Sequence, residues 1–289
     1  MPGETLESAL DVAAAFAARG LSTSFTHLGE NVATRDDAEG VVRHYLDVLV
    51  RVAEAGLDTE VSVKPTHLGL DVDPAMAVDN LLRLVDAASE RDNWLWIDME
   101  GSAYVDGTLQ LYRRALEASS KVGLCLQAYL HRTARDVDEL LALTPSIRLV
   151  KGAYREPATV ALQSRQAIDQ SYLRLSERLL AERRGDTVRR FAVATHDLPL
   201  ISRIEAASRR IGLSPNEAYE VQMLYGIRQA DQLRLAASGQ PTRCLVAYGP
   251  AWYPWYMRRL AERPANVGFV IRNLFARRAT PLPDGDGSR

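Results

Sequence analysis

The sequence predicts an α/β fold, a (βα)8 barrel of the TIM type, with an extra helix before the first strand and a final helix that carries two arginines. Eight short runs rich in β-branched residues end in polar residues, and amphipathic stretches with helical spacing separate them. No linker rich in glycine and serine interrupts the series. Alternating strands and helices imply a parallel sheet, and eight such units imply a closed barrel. A doubly wound open sheet is the alternative on this pattern.

The predicted strands can be read from the sequence in order. They lie in LSTSFTHLGE, TEVSVKPTHLG, WLWIDMEGS, VGLCLQAYL, IRLVKGAY, RRFAVATHD, YEVQMLYG and TRCLVAYG. Helical spacing is clearest in VVRHYLDVLVRVAEAG, AVDNLLRLVDAASE and YLRLSERLLAERR. Asp73-Pro74, Thr133 and Ser214-Pro215 are start signals for helical stretches. A further helix over about residues 5–19 precedes the first strand.

One catalytic domain is predicted over residues 1–276, with a disordered tail over residues 277–289. Barrels of about this size are common as single domains. The end of the chain, ARRATPLPDGDGSR, is polar and rich in proline and glycine, so it lacks the apolar residues that an ordered segment would bury.

Composition limits the partners and the compartment. The formal net charge of the 289 residues is -2, so no overall positive field would attract nucleic acid. No apolar run approaches the roughly 18 residues of a membrane-spanning helix, and the N-terminus lacks the pattern of a signal peptide. Cys125 and Cys244 lie in apolar runs, which is typical of core thiols. We expect a cytoplasmic protein, and a peripheral contact with the inner face of the plasma membrane is compatible with this pattern.

Polar residues follow nearly every predicted strand. In such barrels the active site lies at the carboxyl ends of the strands. Each residue alone is as readily a loop cap or a satisfied buried group, but a whole ring of them suggests a ligand. The ring contains His27, Glu30, Lys64, His67, Asp98, Glu100, Gln127, Arg148, Lys151, Tyr154, Thr195, His196, Gln222, Leu224, Tyr225 and Tyr248.

Two pairs of charged residues stand out in this ring and just after it. Lys64 and Asp98 follow neighbouring strands, so they form either a structural salt bridge or a charge pair that holds a polar substrate. Arg258 and Arg259 follow an aromatic segment and form either a solvated basic face or a two-point site for a carboxylate. That aromatic segment contains Tyr248, Trp252, Tyr253, Trp255 and Tyr256.

Metal and dinucleotide motifs give weaker signals. Asp98, Glu100 and His196 could be metal ligands, but no HxH or HExxH spacing supports them, so no metal site is predicted. The sequence also lacks the GxGxxG loop of a Rossmann-type dinucleotide site and the Walker glycine loop.

Several fragments, in the same order along the chain, resemble the flavin-dependent proline dehydrogenases of the monofunctional bacterial type. They are SVKPTHLGL, WIDME, LCLQAYL, IRLVKGAY, ATHD, YEVQMLYG and MRRLAE. The resemblance implies a distorted (βα)8 barrel with FAD at the carboxyl ends of its strands. It also implies oxidation of L-proline to Δ1-pyrroline-5-carboxylate, the first step of proline degradation to glutamate. Electrons would pass to a quinone, and a separate pyrroline-5-carboxylate dehydrogenase could be a partner.

The resemblance also assigns a substrate site. Lys64 and Asp98 would lie beneath the substrate as catalytic residues, and Leu224 and Tyr248 would cover its ring. Arg258 and Arg259 would hold the carboxylate, with Glu30 pairing to Arg258 as a gate. The family often has a tyrosine at the position of Trp255, so which of Tyr253, Trp255 and Tyr256 lines the ring pocket stays open.

For the flavin, the resemblance implies binding by Gln127, Arg148, Lys151, Gly152, Ala153, Thr195 and His196. Arg165 would reach the phosphate or adenine side of FAD. Arg148 would act as a catalytic residue beside the flavin ring. Two rival functions stay open on the residues themselves: a Schiff-base lyase or aldolase that uses Lys151, because such lysines form covalent adducts, and a non-catalytic barrel that binds an amino acid.

Overall fold

The computed structural model describes residues 1–251, and in it eight parallel strands form a closed barrel in chain order. Strand β8 returns to β1, with Ser22 opposite Arg243 and His27 opposite Tyr248. The predicted barrel is confirmed, and the open sheet is wrong. The strands are β1 (Ser22–His27), β2 (Thr59–Val63), β3 (Leu95–Ile97), β4 (Val122–Gln127), β5 (Ser146–Val150), β6 (Arg190–Ala194), β7 (Glu220–Leu224) and β8 (Thr242–Tyr248).

Helices follow the strands, and local capping explains several of their starts. The Asp73 side chain accepts hydrogen bonds from the first free N–H groups of α3 (Pro74–Glu90), and Pro74 begins that helix. The extra helix α1 (Leu6–Ala17) packs against β1 and β8, where the barrel closes. The helices are α1 (Leu6–Ala17), α2 (Arg35–Glu54), α3 (Pro74–Glu90), α4 (Val105–Ala118), α5 (Thr133–Leu141), α6 (Arg165–Arg184), α7 (Leu198–Arg210), α8 (Pro215–Ala218) and α9 (Gln229–Ala237). Two 3₁₀ turns, Pro65–Leu68 and Ser102–Tyr104, follow β2 and β3.

The amino ends of the strands hold a network of charges that reaches from the buried Glu60 and Arg243 to the exposed Asp58, and we call it the floor network. It consists of Asp58, Glu60, Arg190, Glu220 and Arg243. Arg243 Nη1 lies 3.0 Å from Asp58 Oδ1, and its Nε lies 3.2 Å from Glu220 Oε1. Arg190 Nη2 lies 2.8 Å from Glu220 Oε2, and Arg190 also pairs with Glu60. Both arginines are thus matched with carboxylates in the barrel interior.

Other expectations about the chain have mixed outcomes. Cys125 and Cys244 are buried free thiols, as expected. No helix within residues 1–251 is both long enough and apolar enough to cross a membrane. The final helix with Arg258 and Arg259, the domain boundary at residue 276 and the tail all lie outside the described residues.

Candidate active site

A cavity of about 380 Å³ opens at the carboxyl ends of the barrel strands. Its lining brings together residues from all parts of the described chain, because parallel strands deliver their carboxyl ends to the same edge of a barrel. The predicted site residues in this lining are Lys64, Asp98, Gln127, Arg148, Lys151, Gly152, Ala153, Thr195, His196 and Leu224. The predicted residues Glu30, Arg165 and Tyr248 are not part of it.

Arg148 on β5 crosses the barrel interior beneath this cavity. Its Nε donates to Gln222 Oε1 at 2.7 Å, and its Nη1 donates to Ser62 Oγ at 2.8 Å and to Asp98 Oδ1 at 2.9 Å. The guanidinium also lies 4.5 Å from the centre of the Trp96 ring, a cation–π distance. Its Nη2 is buried and has no hydrogen-bond partner among the described residues. Arg148 is therefore held rigidly and keeps one donor available.

The predicted pair of Lys64 and Asp98 is not formed. Asp98 Oδ1 instead accepts hydrogen bonds from Arg148 and from Ser62 Oγ, the latter at 2.8 Å. Lys64 is 5% exposed and lines the cavity, and no carboxylate of residues 1–251 lies within ion-pairing distance of its ammonium group. The long Arg148 side chain reaches Asp98 from the other side of the barrel, so Lys64 presents its charge to the cavity.

The loop after β5 approaches the cavity with very little side-chain bulk. Gly152 has φ 120°, and a Cβ at this position would lie 2.2 Å from the Tyr129 ring. Only glycine fits this conformation and this contact. Next to it, Lys151 Nζ lies 2.5 Å from Asp169 Oδ1 and 2.8 Å from Asp197 Oδ2. The loop thus exposes backbone to the cavity, while its lysine is paired on both sides.

Arg165 extends the ion-pair cluster of this loop toward solvent. Its Nη2 lies 3.2 Å from Asp197 Oδ2, and its side chain is 83% exposed. The arginine, Lys151 and the two carboxylates Asp169 and Asp197 balance to no net charge. Arg165 is therefore placed beside the cavity mouth rather than in the lining.

Strand β6 ends in Thr195 and His196, and both side chains line the cavity. Burial lowers the pKa of His196 to about 4, and the nearby Arg228 adds to this effect. Its imidazole is therefore neutral near pH 7. The Leu224 N–H approaches His196 Nε2 at 3.5 Å, which leaves the proton on Nδ1. That Nδ1 is buried without a partner among the described residues, so it is a second donor for a ligand.

Tyr248, predicted to cover the substrate ring, lies outside the cavity lining. Its side chain is fully buried outside the cavity lining, where its hydroxyl lies 2.8 Å from His44 Nε2 and its ring meets Phe25 edge-on. Side chains alternate along a strand, so the residues of β8 that face the cavity are Leu245 and Ala247. Tyr248 is therefore apart from the cavity lining, and its role over a substrate ring stays a prediction.

Glu30 follows β1 and is half-buried. Its predicted partner Arg258 is outside the described residues, so the gate stays a prediction. Gln127 is placed as expected on β4, where its Nε2 donates to the Glu100 carbonyl at 2.7 Å and its Oε1 accepts from the Ala153 N–H at 3.4 Å.

Sequence reasoning gave no site role to several residues that line or support the cavity. Ser62 lies two residues before Lys64 and holds both Arg148 and Asp98. A two-residue period along each strand, counted back from a polar end, would have found Ser62. The lining residues without an assigned role are mostly apolar or small, a pattern that does not distinguish them from core: Thr26, Leu28, Met99, Cys125, Val150, Ala194, Met223, Leu245 and Ala247.

Comparison with known proteins gives this arrangement a family. The proline dehydrogenase family profile matches residues 9–272. The chain is 37% identical to proline dehydrogenase 1 of Bacillus subtilis subsp. natto over 274 residues, which cover 94% of this chain and 88% of that protein. It is 34% identical to the proline dehydrogenase of Deinococcus radiodurans over 281 residues, 94% of this chain and 87% of that protein. The chain belongs to the proline dehydrogenase family.

Solved structures support the fold of this proline dehydrogenase family member. Proline utilization A from Bdellovibrio bacteriovorus, solved in a form inactivated by N-propargylglycine, matches with a TM-score of 0.81 and 21% identity. The match covers 90% of this chain and 32% of that much longer chain. At this identity the likeness concerns the barrel alone.

Proposed function

We propose that the protein oxidises L-proline to Δ1-pyrroline-5-carboxylate with FAD as electron acceptor. Family membership supports the substrate, and one structural observation supports the cofactor. That observation is Arg148, a residue of the cavity lining whose buried Nη2 has no hydrogen-bond partner among residues 1–251. A buried charged donor without a partner is costly, so a ligand that accepts a hydrogen bond would stabilise the site. A bound flavin would be such a ligand and would supply the hydride acceptor.

The residues of the described site fit the flat ring system of a flavin. The bare backbone at Gly152 allows close approach, and the cavity-lining His196 has a buried Nδ1 without a partner among residues 1–251. The phosphate side fits less directly, because Lys151 and Arg165 are already balanced by Asp169 and Asp197. Binding of the FAD pyrophosphate would draw the exposed Arg165 away from Asp197, a small cost for a surface ion pair.

The protein's own part in the reaction is to bind and orient proline. The ammonium of Lys64 faces the cavity. Leu224 and Leu245 form an apolar part of the cavity wall. Arg258 and Arg259 are proposed to hold the proline carboxylate, which would leave the ring carbon next to nitrogen pointing inward. Loss of hydride from that carbon requires a neutral ring nitrogen, whose lone pair closes the C=N bond. The Lys64 charge favours the neutral amine by lowering its pKa.

The lyase reading loses support from the contacts of Lys151. A Schiff base requires a neutral amine as nucleophile. Lys151 Nζ is instead held in ion pairs by Asp169 and Asp197, both within 2.8 Å, so it is not free to attack a carbonyl group. Lys151 is better suited to order the loop that carries Gly152.

We further propose a quinone as the final electron acceptor and a separate pyrroline-5-carboxylate dehydrogenase as the consumer of the product. The reaction would take place in the cytoplasm, with a peripheral contact at the inner face of the plasma membrane. The family resemblance supports these assignments, and the absence of a strongly basic composition gives no role to nucleic acid. Faster reoxidation by a soluble quinone analogue than by oxygen would support the acceptor.

The proposal is tested by the colour of the purified protein. We expect a flavin band near about 450 nm that L-proline bleaches in the absence of oxygen. Released cofactor analysed by chromatography should be FAD rather than FMN. A flavin-free protein that traps a carbonyl compound with borohydride would reject the proposal in favour of the lyase. A protein that binds proline without bleaching would favour the non-catalytic barrel.

A further inference from the structure

A chain of hydrogen bonds runs around the cavity mouth through consecutive strand–helix connections. We call it the mouth belt; its members are Asn31, Thr66, Glu100, Gln127 and Ala153. The Asn31 N–H donates to Thr66 Oγ1 at 3.0 Å, and the Thr66 hydroxyl donates to Glu100 Oε1 at 2.7 Å. Gln127 Nε2 donates to the Glu100 carbonyl at 2.7 Å, and the Ala153 N–H closes the chain on Gln127 Oε1 at 3.4 Å.

Glu100 is the centre of this belt. It is 2% exposed, and its carboxylate accepts both the N–H of Thr66, at 2.9 Å, and the Thr66 hydroxyl. Burial raises the pKa of Glu100 to about 7; its Thr66 bonds and the Lys64 charge oppose this rise, and Glu30 adds to it. Burying a carboxylate is unfavourable, but the two donors meet different oxygens, and a neutral amide has an acceptor oxygen at only one of these places. The arrangement therefore depends on a carboxylate at this position.

The two ends of the belt lie on opposite sides of the proposed site. Asn31 directly follows Glu30 and has φ 51°, a left-handed conformation. Its Nδ2 donates to Asp71 Oδ2 at 2.7 Å, which fixes the loop from outside. At the other end, Ala153 follows Gly152 in the cavity lining. Between the ends, Thr66 lies two residues beyond Lys64. The belt thus joins the substrate side of the cavity to the cofactor side.

We propose that Glu100 is a positioning residue that couples these two sides through Thr66 and Gln127. The inference rests on the proposed function, because it assigns the belt a part in placing proline against the flavin. A misplacement of about 1 Å between reacting groups is enough to lower a rate by roughly 100-fold. Glu100 does not line the cavity, so it acts on the reaction only through the residues that it holds.

The test uses variants of the full chain with bound flavin. Thr66→Val removes the hydroxyl from the belt and keeps the β-branched shape, and Thr66→Ser restores the hydroxyl. Glu100→Gln is the second disruption, in case Thr66→Val does not fold. The matched control is Thr59→Val, because Thr59 is also buried and hydroxyl-bonded, 2.7 Å from Thr23, at the other end of the barrel.

Two readouts are compared. We expect Thr66→Val and Glu100→Gln to lower the limiting rate of flavin reduction at saturating proline by about 10-fold. Hydrogen–deuterium exchange should rise both in residues 28–33 and in residues 152–154. Thr66→Ser should recover most of the rate, and Thr59→Val should leave rate and exchange in these loops unchanged.

Other outcomes have distinct meanings. Faster exchange in residues 28–33 alone, with a wild-type reduction rate, would overturn the coupling and reduce the belt to a local clamp. A wild-type protein that L-proline does not reduce would reject the proposed function, whereas the exchange data would still decide whether the two loops are coupled.

Discussion

Arginines at the two ends of the barrel differ in how many carboxylate partners they have. Trp96 lies between them, with the Arg190 guanidinium 5.4 Å and the Arg148 guanidinium 4.5 Å from its ring centre. On the floor, Arg190 and Arg243 are surrounded by carboxylates of the floor network. At the mouth, and among residues 1–251, Arg148 has one carboxylate partner, Asp98, while its Nη2 has no partner.

This difference distinguishes arginines that stabilise the fold from an arginine that can bind a ligand. An ion network in which each arginine pairs with more than one carboxylate needs no further partner, and its loss lowers the free energy of unfolding. A buried arginine with a spare donor beside a cavity is stabilised further when a ligand accepts that donor. Arginine side chains therefore stabilise the fold at one end of the barrel and are available to bind a ligand at the other.

The largest expected effect, on the free energy of unfolding, comes from removing an arginine of the floor network. Arg243→Met should lower the free energy of unfolding by about 3–5 kcal/mol, because Glu60 and Glu220 lose a partner while buried. Urea denaturation measures the change. Proline-dependent flavin reduction per folded molecule should stay close to wild type. A stable variant with an impaired reaction would show that the floor also serves the site.

Replacing the arginine at the cavity mouth should impair the reaction rather than the stability of the fold. Arg148→Met is expected to lower the rate of flavin reduction by about 100-fold, because a positioned donor to the electron-accepting ring is lost. Rapid mixing with proline at several concentrations separates this rate from proline affinity, which should change little. If affinity collapses while the rate persists, Arg148 binds substrate instead.

The bare loop at the mouth gives a third contrast. Gly152→Ala would place a Cβ into the Tyr129 ring, so we expect the FAD dissociation constant of the apoprotein to rise at least about 10-fold. The control is Gly212→Ala, which also has positive φ, 77°, but whose new Cβ would meet no atom of the described residues within 4 Å apart from its chain neighbours. Both should lose some stability, and only the first should lose flavin. Equal flavin binding in the two variants would show that the close approach is not used.

The pH dependence should also come from the mouth, where buried histidines gather. Burial lowers the pKa of His67 to about 3, with smaller contributions from His27, Lys64 and His44. Since the folded-state pKa lies below the unfolded value, the stability from a neutral His67 is present above about pH 6.5 and is lost as the pH falls.

His67→Gln should therefore abolish about 2 kcal/mol of the fall in unfolding free energy between about pH 7 and 5. The exposed His131→Gln serves as control and should keep the wild-type pH dependence. Denaturant titrations at both pH values give the comparison. An equal fall in unfolding free energy with pH for wild type and His67→Gln would contradict the prediction.

Much of the site could be predicted from the polar residues that end the strands. Arg148, Lys151 and Gly152 lie where the strand pattern and the resemblance put them, because a parallel barrel sends every carboxyl end to one face. Tyr248 lies outside the cavity lining although the strand pattern put it among the ring residues, because the face of a residue at the very end of a strand depends on register, and a shift of one residue reverses it. Nothing in the sequence shows that register directly.

The sequence by itself determined the order of strands, the face on which the site forms and the family. These follow from local periodicity and from motifs, which are properties of short segments. Only the tertiary structure decided which side chains of the site form hydrogen bonds and ion pairs with one another. Asp98 bonds to Arg148 and Ser62 rather than to Lys64 on the adjacent strand connection. The physical reason is that barrel closure brings a long guanidinium across the interior, where distance in space no longer follows distance along the chain.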